Sequence, residues 1–114
     1  MIWHVEYTEA AKQDLRDVFD YISNVLLEPV TAKRQVTHIM DAADSLENMP
    51  MRHRLYDVEP WRSRGLRIMP VDNYVVLYLP DESKNIVSII RVMYGKRDID
   101  RQLNRTEHNT PPSS

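Results

Sequence analysis

Tyr74-Val-Val-Leu-Tyr-Leu79, Pro80-Asp-Glu-Ser-Lys-Asn85 and Ile86-Val-Ser-Ile-Ile-Arg-Val-Met-Tyr-Gly-Lys-Arg-Asp98 form the stretch on which the fold turns. Two runs rich in β-branched and aromatic residues flank a polar segment that opens on proline, the pattern of a β-hairpin. The second run ends in Tyr94-Gly95-Lys96-Arg97, an aromatic hydroxyl, a glycine and two cations instead of ordinary turn residues.

Just upstream, Leu66-Arg67-Ile68-Met69 reads as a short strand, stopped by Pro70 and turned at Asp72-Asn73. Three strands with such short links make an antiparallel meander. Residues 50–65 have no clean periodicity. They carry Arg52, Arg54, Arg62 and Arg64 among Tyr56 and Trp61, a composition favoured at binding surfaces. The plainer reading is a loop pinned to the core by its aromatics, with the arginines solvated. Both readings stand at this stage.

Farther upstream the period changes. Ala11, Leu15, Val18, Ile22 and Leu26 recur every three or four residues, as do Ala32, Val36, Ile39, Ala43 and Leu46. Each set is the apolar stripe of an amphipathic helix. Thr8 supplies an N-cap oxygen ahead of Glu9, and Leu27-Glu28-Pro29 breaks the first helix so that Pro29 opens the second. So short a link makes an αα-hairpin. Asp14, Asp17, Asp20, Asp41, Asp44 and Glu47 read as its solvated outer face. Trp3-His4-Val5-Glu6-Tyr7 alternates like a half-buried strand.

The order is therefore β-α-α-β-β-β, an α+β fold with the αα-hairpin packed on one face of a mainly antiparallel four-stranded sheet. Strand one is expected at an edge. The second sheet face is expected to stay open, which nominates that face and the end of the last strand as the site. Residues 1–103 form the domain. Ile99 to Leu103 is a short close, and residues 104–114 are a polar tail expected to fray.

At 114 residues the chain can bury a core without staples. It has no cysteine, which excludes disulfides and thiolate chemistry and fits a reducing cytoplasm. The start has no basic n-region and no long apolar run, so neither export nor membrane insertion is expected. Residues 1–50 hold four Lys/Arg against nine Asp/Glu, and residues 51–105 hold eleven against seven. The basic half can present a cationic face, though a net charge of −2 is not that of a domain binding nucleic acid by charge alone. His4, His38, His53 and His108 are scattered without metal-site spacing. With two glycines in the chain, no phosphate-cradling loop is present. No metal or cofactor is expected.

Three pieces in order, Trp3-x-Val-x-Tyr-Thr-x-x-Ala-x-x-Asp-Leu, Gly65-Leu-Arg-x-x-Pro-Val-x-x-Tyr-Val-Val-Leu-Tyr and Ile90-Arg-Val-Met-Tyr-Gly-Lys-Arg-Asp, resemble the RelE/ParE toxins of bacterial type II toxin–antitoxin systems. The resemblance covers residues 2–103. It implies a small cytoplasmic growth inhibitor held inactive by a cognate antitoxin. That antitoxin wraps the toxin with a helix and a strand and itself binds the operator DNA. No membrane partner is implied.

The family divides by target. RelE-like members are ribosome-dependent RNases that cleave mRNA through ribose 2′-oxygen attack. That reaction needs a proton acceptor, a proton donor and cations for developing charge. Arg67, Tyr94, Lys96 and Arg97 are the catalytic candidates on this reading. ParE-like members poison DNA gyrase and need no active-site chemistry. Arg62, Arg64, Arg91, Tyr94, Lys96 and Arg97 are then contacts to target or antitoxin. RelE-like nucleases commonly carry an arginine directly after the tyrosine that opens the central strand, where this chain has Val75. Gly95-Lys96-Arg97-Asp98 and Arg67-x-x-Pro70-Val71 are similar to the ParE branch, with Tyr94 where histidine is usual. A third functional reading is a degenerate toxin that only binds its antitoxin, and a purely structural one has Gly95 as a bulge and Arg97–Asp98 as a strand-ending ion pair.

Overall fold

The computed structural model describes residues 2–95 and 99–109. Strands β1 (His4–Tyr7), β2 (Arg67–Val71), β3 (Tyr74–Asp81) and β4 (Ile86–Tyr94) form one sheet in the order β1-β4-β3-β2. The β2–β3 and β3–β4 pairs are antiparallel, as the short turns require, and β1 runs parallel to β4 with Tyr7 opposite Ile89. The helical crossover between β1 and the meander makes that parallel pairing possible. The sheet is thus mixed, with strand one at an edge as its sequence position suggests.

Helix α1 (Glu9–Asp20) starts at Thr8, whose hydroxyl accepts from the Ala11 amide at 3.1 Å. Helix α2 (Pro29–Asp44) begins with proline at its first turn. Ala11, Leu15, Ile39, Ala43 and Leu46 from the hairpin pack on Val76, Tyr78, Val87, Ile89 and Val92 of the sheet. Leu26 does not join them. A π-helical turn at Tyr21–Val25 inserts an extra residue into the stripe's phase, and Leu26 emerges exposed.

The second face of the sheet is covered, not open. Ile68, Val75, Leu77 and Met93 are buried there beneath Trp61, Leu66, Ile99 and Leu103. Trp61 belongs to the short helix α3 (Trp61–Arg64), and Ile99 and Leu103 lie one turn apart on α4 (Ile99–Asn109). The physical reason is visible in β3, whose residues 74–78 are all buried. A strand apolar on both faces requires cover on both, and each aliphatic side chain enclosed contributes about 1.5–3 kcal/mol. The helical backbone of α4 passes Asn104, where the polar tail was expected to begin, and reaches Asn109. Residues 110–114 lie outside the described part. Among the described residues no helix is long and apolar enough to cross a membrane.

Candidate functional site

Strand β4 changes its facing in the middle. Tyr78 pairs with Ile89 and Leu77 with Arg91, which leaves Ile90 as the extra residue of a β-bulge. Before it, Val87 and Ile89 face the helical hairpin; after it, Val92 does. Without the bulge, strict alternation would put Arg91 and Met93 on the hairpin side and Val92 on the other.

Polar groups from α1 hold this bulge. The Thr8 hydroxyl lies 2.9 Å from the Ile89 carbonyl and 3.0 Å from that of Ile90. The Asp14 carboxylate accepts from Arg91 Nε at 2.7 Å, from Arg91 Nη2 at 2.8 Å and from the Val92 amide at 2.8 Å. Asp14 is therefore buried, not part of the solvated outer face on which its sequence position places it. Arg91 also reaches toward the Gln102 carbonyl of α4 at 3.5 Å. The bidentate carboxylate raises the guanidinium's already high pKa. Arg91, a candidate contact residue, is thus bound within the chain.

Arg67 is also held internally. Its Nη1 donates to the carbonyls of His53 at 2.7 Å and Met51 at 3.2 Å. It stands opposite Tyr78 on β3, whereas Tyr94 stands opposite Tyr74. Four residues of strand separate those positions, roughly 13 Å along the sheet, and two strand spacings add roughly 10 Å across it. Arg67 and Tyr94 are not brought together. Val75 is buried on the α4 face, a packing residue as read.

Tyr94 is 62 % exposed and meets Tyr74 edge to face, with ring centroids 5.4 Å apart. Burial raises the Tyr74 hydroxyl pKa, and proximity of the Tyr94 and Tyr21 hydroxyls raises it further. Three tyrosines therefore gather where β3 begins, β4 ends and the π-helical turn starts. Gly95 follows at φ 64°, its amide donating to the Asn73 carbonyl at 2.7 Å. Lys96 and Arg97 lie outside the described residues, as does the Arg97–Asp98 ion pair. Sequence reading overlooks Tyr21 and Tyr74. The available signal was that Tyr21 falls off the apolar stripe, one place before Ile22.

The arginine loop is a separate region. Trp61 is buried and Tyr56 half-buried, its hydroxyl bonded to Asp100 of α4. Arg62 pairs with Asp57 at 3.1 Å, and the Arg64 guanidinium sits 5.0 Å from the Trp61 ring centroid. Both arginines remain exposed on a loop pinned by its aromatics. Among the described residues no group of three His, Asp or Glu side chains is placed to hold a metal ion.

The family model described as the ParE toxin of type II toxin–antitoxin systems (parDE) matches residues 5–99. No curated protein matches the chain. Among solved structures, a chromosomal ParDE toxin–antitoxin system from P. aeruginosa superposes with a TM-score of 0.70 at 18% identity, covering 83% of this chain and 98% of that one. A RelBE toxin–antitoxin complex from Mycobacterium tuberculosis gives 0.64 at 21% identity, covering 82% and 99%. An arginine-substituted E. coli RelE toxin in the free state gives 0.63 at 10% identity, covering 96% and 100%. At these identities the structural likeness establishes the fold.

Proposed function

Because the chain belongs to the ParE toxin family of type II toxin–antitoxin systems, we propose that it is a gyrase-directed toxin that grips a protein target and cuts no RNA itself. The carrying observation is the separation of Arg67 from Tyr94, with Arg67 consumed by the Met51 and His53 carbonyls. An RNase needs its cations at the scissile phosphate. Tyr94 sits instead on the buried Tyr74 and near the exposed Tyr21, and two exposed tyrosines at one end of a sheet suit a protein interface, where this residue type is enriched among hot spots. Val75 supports the same reading, since an apolar residue fills the place where the nucleases commonly carry an arginine.

On this reading the toxin acts in the cytoplasm and stops growth by stabilising the gyrase–DNA cleavage complex, and a cognate antitoxin neutralises it. The similar ParDE and RelBE structures are of toxin–antitoxin systems, which supports such a partner here. The test is a supercoiling assay with purified gyrase. Inhibition with accumulation of cleaved DNA, relieved by the antitoxin, is expected. No inhibition at high toxin-to-gyrase ratio, together with codon-phased mRNA cuts in a translation reaction, would overturn the reading in favour of a ribosome-dependent nuclease.

A further inference from the structure

The tip of the helical hairpin keeps apolar side chains in water. Val25, Leu26, Leu27 and Val30 are between 52 % and 77 % exposed. Leu27 adopts φ 57°, a left-handed conformation that costs a leucine about 1–2 kcal/mol and is usually left to glycine or asparagine. Folding of the single chain gains little from an aliphatic side chain held outward at that cost. Strain of this kind, adjoining a π-helical turn, marks a surface with a use beyond the fold.

Charges of both signs border this apolar cap. Asp17 and Asp20 lie in the last turn of α1, and Lys33 and Arg34 follow in α2. Among the described residues Asp20, Lys33 and Arg34 make no ion pair. Lys33 and Arg34 also line, with Val30 and His38, a shallow groove of ≈ 490 Å³ along α2. A rim carrying both signs about an apolar centre matches itself, and self-complementarity is what a two-fold interface requires.

We propose that the hairpin tip is a self-association surface, taken by a second copy of this chain. In the two-fold dimer the apolar caps meet at the centre. Asp17 and Asp20 of each copy face Lys33 and Arg34 of the other. The interface requires neither gyrase nor antitoxin, so it stands or falls separately from the target reading.

Sedimentation velocity of the full chain over a micromolar concentration series tests this. A concentration-dependent dimer is expected, and Leu27→Asp with Val30→Asp should leave only monomer. Lys33→Asp/Arg34→Asp alone should weaken association at least about tenfold, a loss of about 1.4 kcal/mol. Asp17→Lys/Asp20→Lys alone should do the same, whereas an equimolar mixture of the two variants should form heterodimer. Every altered side chain is exposed, and cooperative thermal melts at a concentration below association will show that the variants fold. A wild-type monomer at every concentration would overturn the proposal. So would a dimer indifferent to Leu27→Asp/Val30→Asp, or a charge-reversed mixture that fails to associate.

Discussion

Arg91 and Tyr94 lie three residues apart on β4, yet one is committed inward and the other outward. The guanidinium of Arg91 is tied to Asp14 by two hydrogen bonds, with side chains only 17 % and 11 % exposed. Tyr94 rests one ring edge on Tyr74 and leaves most of its surface in water. Both carry chemistry attractive for a site. A polar residue next to a functional motif can thus be wholly engaged in holding the strand in shape. The odd spacing of Arg91 and Tyr94 along the strand puts them on opposite faces, and the bulge before both decides which residues face the core, sending Val92 into it.

The sharpest way to break this contrast is to remove one member of the inward pair. Asp14→Ala leaves a buried guanidinium without its carboxylate and the Val92 amide without its acceptor. Such changes cost about 3–5 kcal/mol, so urea denaturation should show a large drop in midpoint. A loss under about 1 kcal/mol would mean that Arg91 finds another partner and that the knot is not structural. Leu103→Ala should follow, at about 2–4 kcal/mol from the cavity it opens under α4. Leu103 is fully buried beside Gln102, the residue Arg91 reaches. A near-neutral Leu103→Ala would show that α4 contributes little to covering the second face.

Much of this molecule could be read from residue pattern. The hairpin Tyr74–Tyr94, the two helical stripes, Thr8 as a cap and strand one at an edge all follow from local periodicity and turn chemistry. What escaped was set by long-range pairing. Asp14 looks like any acidic helix residue until Arg91, 77 positions later, is folded against it. Alternation alone could not give the facing of Arg91, because one unpaired residue reverses the parity. The covered second face was legible in part, since Tyr74 to Leu79 is apolar without a break. Its cover was harder to see. Ile99 and Leu103 are two apolar residues in a polar segment, too few to mark a helix by pattern. The aromatic corner at Tyr94 was half found, because Tyr21, at the end of α1 and off its apolar stripe, comes near Tyr74 only in the fold.

A smaller effect of opposite sign is expected at the hairpin tip. Leu27→Gly removes the left-handed strain at an exposed site, and relief of strain should exceed the backbone entropy that glycine adds. For the monomer, at a concentration below association, the net gain should be up to about 1 kcal/mol, visible as a raised thermal midpoint. Destabilisation instead would show that the leucine side chain is packed in solution, and that the tip is not free in the monomer.

The smallest change in stability is expected at Tyr94, and it separates binding from chemistry most cleanly. Tyr94→Ala removes an exposed ring with one aromatic neighbour, so stability should move by about 0.5–1 kcal/mol at most. Target inhibition should fall far more, by at least about thirtyfold if the ring is an interface anchor worth about 2 kcal/mol. Tyr94→Phe then distinguishes the roles. A gripping residue keeps its ring and most of its contact area, so the phenylalanine variant should retain gyrase inhibition within a few-fold. A residue that moves a proton loses its O–H in the same substitution, so an RNase would lose activity in Tyr94→Phe as fully as in Tyr94→Ala. Dose–response curves for gyrase inhibition and for mRNA cleavage, run on both variants, tell the two apart. If phenylalanine fails as badly as alanine, the outward side of β4 does chemistry and its contrast with Arg91 must be redrawn.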